Sequence, residues 1–123
     1  YYLYEDNEWF SPVIYKYEIS TGKRTKLTTK TQALYEPIIS SDNKLISCSY
    51  FDGSWLWVCL IDSSGNNMKI IGKGNYPAFT NDSKKIVYLD YSGIYEYSIT
   101  DLTITKLIDR NAIWNIQLNP IYK

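Results

Sequence analysis

The stretch of sequence that decides the fold occurs twice, forty residues apart. The first copy, YEPIISSDNK, covers residues 35–44, and the second, NYPAFTNDSK, covers residues 75–84. A third copy begins at Trp114, where Leu118 falls thirty-nine residues after Phe79. Self-similarity at a fixed period of this length predicts a repeat architecture. The identical residues of the first two copies are Pro37 with Pro77, Asp42 with Asp82, and Lys44 with Lys84.

Each copy begins a unit of four short strands, which we call a to d. Strand a lies in the copy itself and strand b follows it, at Leu45–Tyr50 and Ile86–Asp90. Turn residues come next, at Asp52-Gly53 and Ser92-Gly93, as in a β-hairpin. Strand c alternates between apolar and polar residues, which places matching side chains on one sheet face. It is predicted at Val13–Ile19, Leu56–Ile61 and Ile94–Ile99.

Four short antiparallel strands repeated at a fixed period are typical of β-propeller blades. We therefore predict an all-β fold, in which residues 1–123 form one propeller segment of three four-stranded antiparallel blades. Blade one covers residues 1–33 and lacks its first strand, blade two covers 34–73, and blade three covers 74–111. Residues 112–123 are predicted to form the first strand of a further or closing blade.

The repeat resembles that of the TolB-type β-propellers, which reads x-Pro-x-aromatic-Ser-Pro-Asp-Gly-Lys-Lys-Ile-Ala. Phe79–Ile86 matches it best and Ile39–Ile46 second best, although Ser41 and Asn81 replace the usual proline. The same repeat builds the propellers of prolyl-oligopeptidase-like peptidases. The resemblance implies the propeller fold and an exported or cell-envelope location. It implies no single function, because these propellers serve many roles.

Composition excludes several function classes. The 13 basic and 13 acidic residues cancel, so the chain lacks the basic surface that binds nucleic acid or anionic membranes. No apolar run approaches the ~20 residues of a membrane helix, so we expect no membrane insertion. Histidine is absent, which removes Ser-His-Asp and Cys-His catalysis and histidine–metal ligation. We expect no catalytic residues, no metal and no cofactor.

The binding candidates are aromatic residues in the b–c and d–a loops, which share one end of a propeller. We call this end the long-loop rim; it holds residues 5–12, 28–34 and 50–55. Aromatic side chains displayed by rigid blades are typical of a binding surface. The alternative is that Trp9, Phe51 and Trp55 pack between blades. The predicted binding residues are Trp9, Phe10, Phe51, Asp52, Trp55 and Tyr91.

Other polar residues have structural interpretations. Asp42 and Asp82 occupy equivalent a–b turns, where aspartate accepts hydrogen bonds from turn amides. We expect these two turns to be too far apart for a catalytic pair. Residues 62–67 read as a c–d turn because they lack the alternating acids of a calcium loop. Cys48 and Cys59 face each other across strands b and c, either as free buried thiols or as a strained disulfide.

Three functions remain open. The first is a non-catalytic module that binds a protein or peptide at the long-loop rim. The second is the propeller portion of a peptidase or other hydrolase, which gates a catalytic domain outside this chain. The third is a glycan-binding platform that uses Trp9, Phe10 and Trp55.

The two ends of the sequence fall at different points of the repeat. The last copy stops after its strand a, whereas Tyr1–Asp6 reads as a strand b. Propellers often close by completing one blade with strands from both chain ends. Three blades are too few for a ring, so we expect either a head-to-tail homodimer of six blades or further blades in a longer chain. In the homodimer, residues 114–118 would pair with residues 2–5 of the other copy.

Overall fold

The computed structural model describes residues 2–8 and 11–110. Within these residues the chain forms eleven strands and a single 3₁₀ turn at Lys30–Gln32. This confirms the predicted all-β fold. The strands are β1 (Tyr2–Glu8), β2 (Ser11–Glu18), β3 (Lys23–Lys26), β4 (Leu34–Ile39), β5 (Leu45–Phe51), β6 (Leu56–Asp62), β7 (Lys69–Lys73), β8 (Asn75–Phe79), β9 (Lys85–Asp90), β10 (Gly93–Ser98) and β11 (Thr103–Asp109).

The strands form three antiparallel sheets, and in each sheet consecutive strands are neighbours. Strands β1–β3 make blade one, β4–β7 blade two, and β8–β11 blade three. Strand d extends past its predicted end in blades two and three, to Lys73 and Asp109. In both blades a bulge shifts the register of the pairing between strands c and d. It lies between Val58 and Cys59 in blade two and between Ile94 and Tyr95 in blade three. Beyond each shift the pairing continues, to Trp57 with Lys73 and to Gly93 with Asp109.

The b–c turns differ between blades two and three. In blade two, Asp52 N–H donates to the carbonyl of Trp55 at 3.2 Å, so the turn is centred on Gly53 and Ser54. In blade three the turn consists of Tyr91 and Ser92, one residue earlier than predicted. The Asp90 carboxylate holds it there by accepting the backbone N–H of Ser92 at 2.7 Å.

The core lies between blades, where the face of one sheet packs on the next. The layer between blades one and two contains Ile14, Leu27, Leu34, Ile46, Cys48, Cys59 and Ile61. The layer between blades two and three contains Val58, Leu60, Ile86, Tyr88 and Tyr97. Alternation along strand c thus sends successive side chains of blade two to opposite neighbours. Each fully buried aliphatic side chain contributes roughly 1.5–3 kcal/mol from its transfer out of water.

The a–b turns of blades two and three contain the same hydrogen-bond network. Asp42 accepts the hydroxyl of Ser40 at 2.6 Å and the N–H of Lys44 at 3.1 Å. Asp82 repeats both bonds, from Thr80 at 2.7 Å and Lys84 at 3.0 Å. The aspartates therefore have the structural role that their spacing predicts.

The expected separation of these two turns is wrong, because they touch. The hydroxyls of Ser41 and Ser83 lie 2.7 Å apart, and the Ser41 hydroxyl also donates to the carbonyl of Asn81 at 2.8 Å. Adjacent blades converge at this end of the sheets. The carboxylates of Asp42 and Asp82 nevertheless serve their own turns.

A stacked tyrosine pair occurs at equivalent positions of blades one and three. Tyr88 and Tyr95 stack with ring centroids 5.6 Å apart, and Tyr88 is only 3% exposed, between blades two and three. Tyr4 and Tyr15 stack at 5.5 Å. Their strand positions place this second pair on the face of blade one that points away from blade two. Arg24 lies over the Tyr15 ring at 3.9 Å.

The face of blade three that points away from blade two contains charged side chains. Lys85 and Glu96 form an ion pair of 2.8 Å there. The predicted pairing of residues 114–118 with residues 2–5 of another copy involves a segment outside the described residues, as does the predicted strand at 112–123.

The contact between blades one and two predicts a difference between two glycine variants. Gly65 (φ +89°) and Gly53 (φ +98°) both have backbone conformations that are strained for other residues. A Cβ at Gly65 would overlap the backbone carbonyl of Leu27 in blade one, whereas a Cβ at Gly53 meets nothing within 4 Å. We expect Gly53→Ala to cost about 1–2 kcal/mol and Gly65→Ala about 1–3 kcal/mol more, measured by urea denaturation. Equal losses would contradict this packing.

Candidate functional site

A cavity of about 460 Å³ lies at the long-loop rim between blades two and three. Three segments line it: the b–c turn of blade two, the connection from β7 to β8, and the b–c turn of blade three. We call it the interblade groove. Its six large apolar side chains are between 37% and 74% exposed. They are Phe51, Trp55, Leu56, Tyr76, Leu89 and Tyr91.

A strained backbone conformation occurs at the same place in blades two and three and orients one rim side chain in each blade. Glu36 (φ 51°) and Tyr76 (φ 54°) are both left-handed, and each precedes a proline. In both blades the pairing of strand a with strand b is interrupted at this point. Such a bulge redirects a side chain, and a left-handed non-glycine residue costs about 1–3 kcal/mol. Both side chains line rim cavities, since Tyr76 borders the interblade groove and Glu36 the adjoining pocket.

Hydrogen bonds within the b–c turn of blade two position Trp55. The Asp52 carboxylate accepts the backbone N–H groups of Ser54 at 2.8 Å and Trp55 at 2.7 Å, and the indole N–H of Trp57 at 2.8 Å. These donors, the N–H of Trp55 first, hold the pKa of Asp52 below its ordinary value. The ammonium of Lys73 lies 3.2 Å from the Trp55 ring centroid, so a cation covers one face of the indole.

A second cavity of about 320 Å³ adjoins the groove and shares the side chains of Phe51, Leu56 and Asn75. We call it the acidic pocket because Glu5 and Glu36 line it. The Glu5 carboxylate accepts the backbone N–H of Glu36, which links strand b of blade one to strand a of blade two. The rim thus has an apolar cavity and an acidic cavity with a common wall.

The structure places the predicted binding residues as follows. Phe51, Trp55 and Tyr91 line the interblade groove, where Phe51 is 42% and Trp55 54% exposed. Asp52 supports the turn through its hydrogen bonds. Trp9 and Phe10 lie outside the described residues. Whether these residues bind a ligand stays a prediction.

Sequence reasoning missed part of the groove and the whole acidic pocket. Tyr76 and Glu36 carried one usable signal, because each stands before the proline that repeats after forty residues. Leu89 carried none, since its strand position resembles that of any half-buried residue. Glu5 is predicted as part of the first strand and of the loop that follows it, with no binding role.

The remaining polar candidates have structural roles. Cys48 and Cys59 are buried free thiols whose sulfurs lie 3.2 Å apart, and their hydrogen bond and burial raise the pKa of Cys48. Asp62 accepts four hydrogen bonds within its c–d turn, which lower its pKa to about 2, with the Ser64 hydroxyl the largest cause. Residues 2–8 and 11–110 contain no cluster of metal-ligating side chains. No helix in that part of the chain could span a membrane.

The hydrogen bonds of Asp52 predict a pH-dependent effect of Asp52→Asn. A carboxyl with a depressed folded-state pKa stabilises the fold above its unfolded pKa of about 3.9, and loses that contribution as the pH falls through the folded value. We expect Asp52→Asn to lower the melting temperature near neutral pH, and the difference from wild type to shrink below about pH 4. Thermal melts followed by circular dichroism measure both. A pH-independent difference would show that the charge of Asp52 does not stabilise the turn.

Comparison with known proteins supports the fold. No family model and no curated protein matches the sequence. TolB from Acinetobacter baumannii superposes with a TM-score of 0.71 at 23% identity, over 88% of this chain and 29% of its own. An oligogalacturonate lyase in complex with manganese superposes with a TM-score of 0.64 at 21% identity, over 79% of this chain and 31% of the lyase. The tricorn protease superposes with a TM-score of 0.59 at 15% identity, over 81% of this chain and 10% of the protease. The chain spans a third or less of each, and it has the TolB-like β-propeller fold that its repeat predicts.

Proposed function

We propose that this chain is a non-catalytic propeller module that binds a protein or peptide in the interblade groove. The observation that carries the proposal is the exposure of six large apolar side chains around one cavity of about 460 Å³. Contiguous apolar surface of this kind typically marks an interaction site. Tyrosine and tryptophan are also the residues that dominate binding energy at protein interfaces.

The shape of the rim favours a peptide over a compact small molecule. The groove and the acidic pocket share a wall, so together they offer an elongated site. A glycan platform would need open aromatic faces for stacking. The Lys73 ammonium already covers one face of Trp55, which makes this residue a poorer sugar platform than its sequence position suggests.

A second candidate is the propeller portion of a peptidase or other hydrolase. It is favoured by the likeness to the tricorn protease, of which the matched region is only 10%. In that case the groove would receive substrate on its way to a catalytic domain outside this chain. The likeness to TolB supports an exported or cell-envelope location for either function.

We further propose that blade one packs against blade three of a second copy, in a head-to-tail dimer of six blades. The support is the Tyr4–Tyr15 stack, which repeats the geometry of the Tyr88–Tyr95 pair, in which Tyr88 is buried between blades two and three. Tyr17, beside this stack, is a large aromatic residue that remains 39% exposed. Tyr15 is already only 9% exposed, so a covering blade would remove Tyr17 and the half-buried Tyr4 from water.

Light scattering during gel filtration tests the dimer. We expect a mass of twice 14.4 kDa for the wild type. Tyr17→Glu should shift the protein toward the monomer, because it buries a charge in the proposed contact. Tyr91→Glu makes the same change at the rim and should leave the mass unchanged. A wild type of 14.4 kDa would overturn the dimer and favour further blades in a longer chain.

Selection from a random peptide display library tests the binding function. We expect the wild type to enrich peptides with large apolar residues. The double variant Trp55→Ala/Tyr91→Ala should lose them while keeping its melting temperature, because both side chains are largely exposed. Leu102→Ala, an exposed apolar residue in the c–d turn of blade three, is the matched control. No enrichment, or enrichment that survives the double variant, would contradict the proposal.

A further inference from the structure

The charges around the groove point to a more specific ligand. We infer that it takes an extended peptide segment in which a basic residue neighbours a large apolar residue. The basic side chain occupies the acidic pocket and the apolar side chain occupies the interblade groove. This inference rests on the proposed peptide-binding function.

The acidic pocket supplies the site for the basic side chain. Glu5 and Glu36 both line it, and the hydrogen bond from Glu36 N–H to the Glu5 carboxylate keeps the two residues together. The other described residues that line the pocket are uncharged: Tyr35, Ser49, Phe51, Leu56 and Asn75. Two carboxylates in one pocket without a basic lining residue attract a cationic group.

The cation at the other end of the site does not cancel this preference. Lys73 lies at the Trp55 end of the interblade groove, where its ammonium contacts the indole ring. Its charge also acts on the nearby Asp52 carboxylate. The positive charge of Lys73 is therefore offset locally, whereas Glu5 and Glu36 face the adjoining pocket together.

The common wall requires the two ligand residues to be close in sequence. Phe51 and Leu56 border both cavities, so a side chain in one lies directly beside a side chain in the other. In an extended peptide, side chains on the same face are two residues, or about 6.6 Å, apart. A basic residue and an aromatic or leucine residue at next-but-one positions meet this condition.

The strained backbone supports the same pairing. Glu36 and Tyr76 occupy the same left-handed, pre-proline position in neighbouring blades. Glu36 lines the acidic pocket and Tyr76 lines the interblade groove. The same left-handed backbone conformation thus occurs in both repeats, with an acidic side chain in blade two and an aromatic one in blade three.

Fluorescence anisotropy with three labelled synthetic peptides tests the inference. The peptides have the same leucine and phenylalanine residues, each placed two positions from a residue that is lysine, serine or glutamate. We expect the lysine peptide to bind about tenfold more tightly than the serine peptide, and the glutamate peptide to bind most weakly. Added salt should narrow these differences.

Charge-removing variants locate the preference. Glu36→Gln keeps the shape of the side chain and should reduce the preference for the lysine peptide several-fold. Glu5→Gln can still accept the Glu36 N–H and should reduce this preference by a similar factor. Asp101→Asn removes one charge from an exposed c–d turn and should have no effect. Trp55→Ala/Tyr91→Ala should weaken all three peptides. Circular dichroism melts confirm that each variant is folded.

The outcomes separate this inference from the proposed function. Equal binding of the three peptides, lost in the Trp55→Ala/Tyr91→Ala variant, would overturn the basic-residue preference and leave a peptide-binding groove. Tighter binding of the glutamate peptide would assign the charge recognition to Lys73 and overturn the inference. Binding of none of the peptides would overturn both proposals.

Discussion

The face-to-face packing of neighbouring blades is the constraint on which the rest of this structure depends. A four-stranded sheet of this size cannot bury both faces by itself, so each blade takes its core from the next one. The two apolar layers of the described residues lie at these contacts, between blades one and two and between blades two and three. Side chains of blade two contribute to both layers. Blade two is therefore the best buried of the three described blades.

Turn aspartates supplement this packing and fix the loops. Asp42, Asp52, Asp62, Asp82 and Asp90 each accept hydrogen bonds from residues of their own turn. A carboxylate that binds turn amides holds a short loop in one conformation without any apolar contact. The rim can then display aromatic side chains outside the core. The hydrogen bonds of the turn, rather than burial, therefore hold Trp55 in place while its side chain is more than half exposed.

The rim combines three features that stability alone does not require. These are exposed aromatic rings, left-handed residues before prolines, and a pair of glutamates beside an apolar groove. Each is unfavourable or neutral for folding, since apolar exposure and backbone strain both cost free energy. Local departures from good folding rules concentrate at functional sites. Their coincidence at one end of blades two and three supports the site proposed there.

The amino-acid sequence by itself determined the strands, the three blades and the opposition of Cys48 and Cys59. These depend on local periodicity: the alternation of two along each strand and the repeat of forty along the chain. It also identified Phe51, Trp55 and Tyr91 as rim residues, because aromatics in turn segments are conspicuous. Strand ends were less predictable, since the bulges near Cys59 and Tyr95 arise from pairing with a partner strand.

Only the tertiary structure decided which rim residues share a site. Tyr76 and Leu89 join Trp55 because blades two and three lie side by side, and this depends on interblade contacts that no single strand encodes. The same holds for Glu5 and Glu36, which are 31 residues apart in sequence and come from different blades. The sequence also did not determine how exposed the rim aromatics are. An aromatic side chain in a loop can pack against the neighbouring blade or project into solvent, depending on where that blade lies. The sequence specifies local conformation, whereas the site arises where separate repeats meet in space.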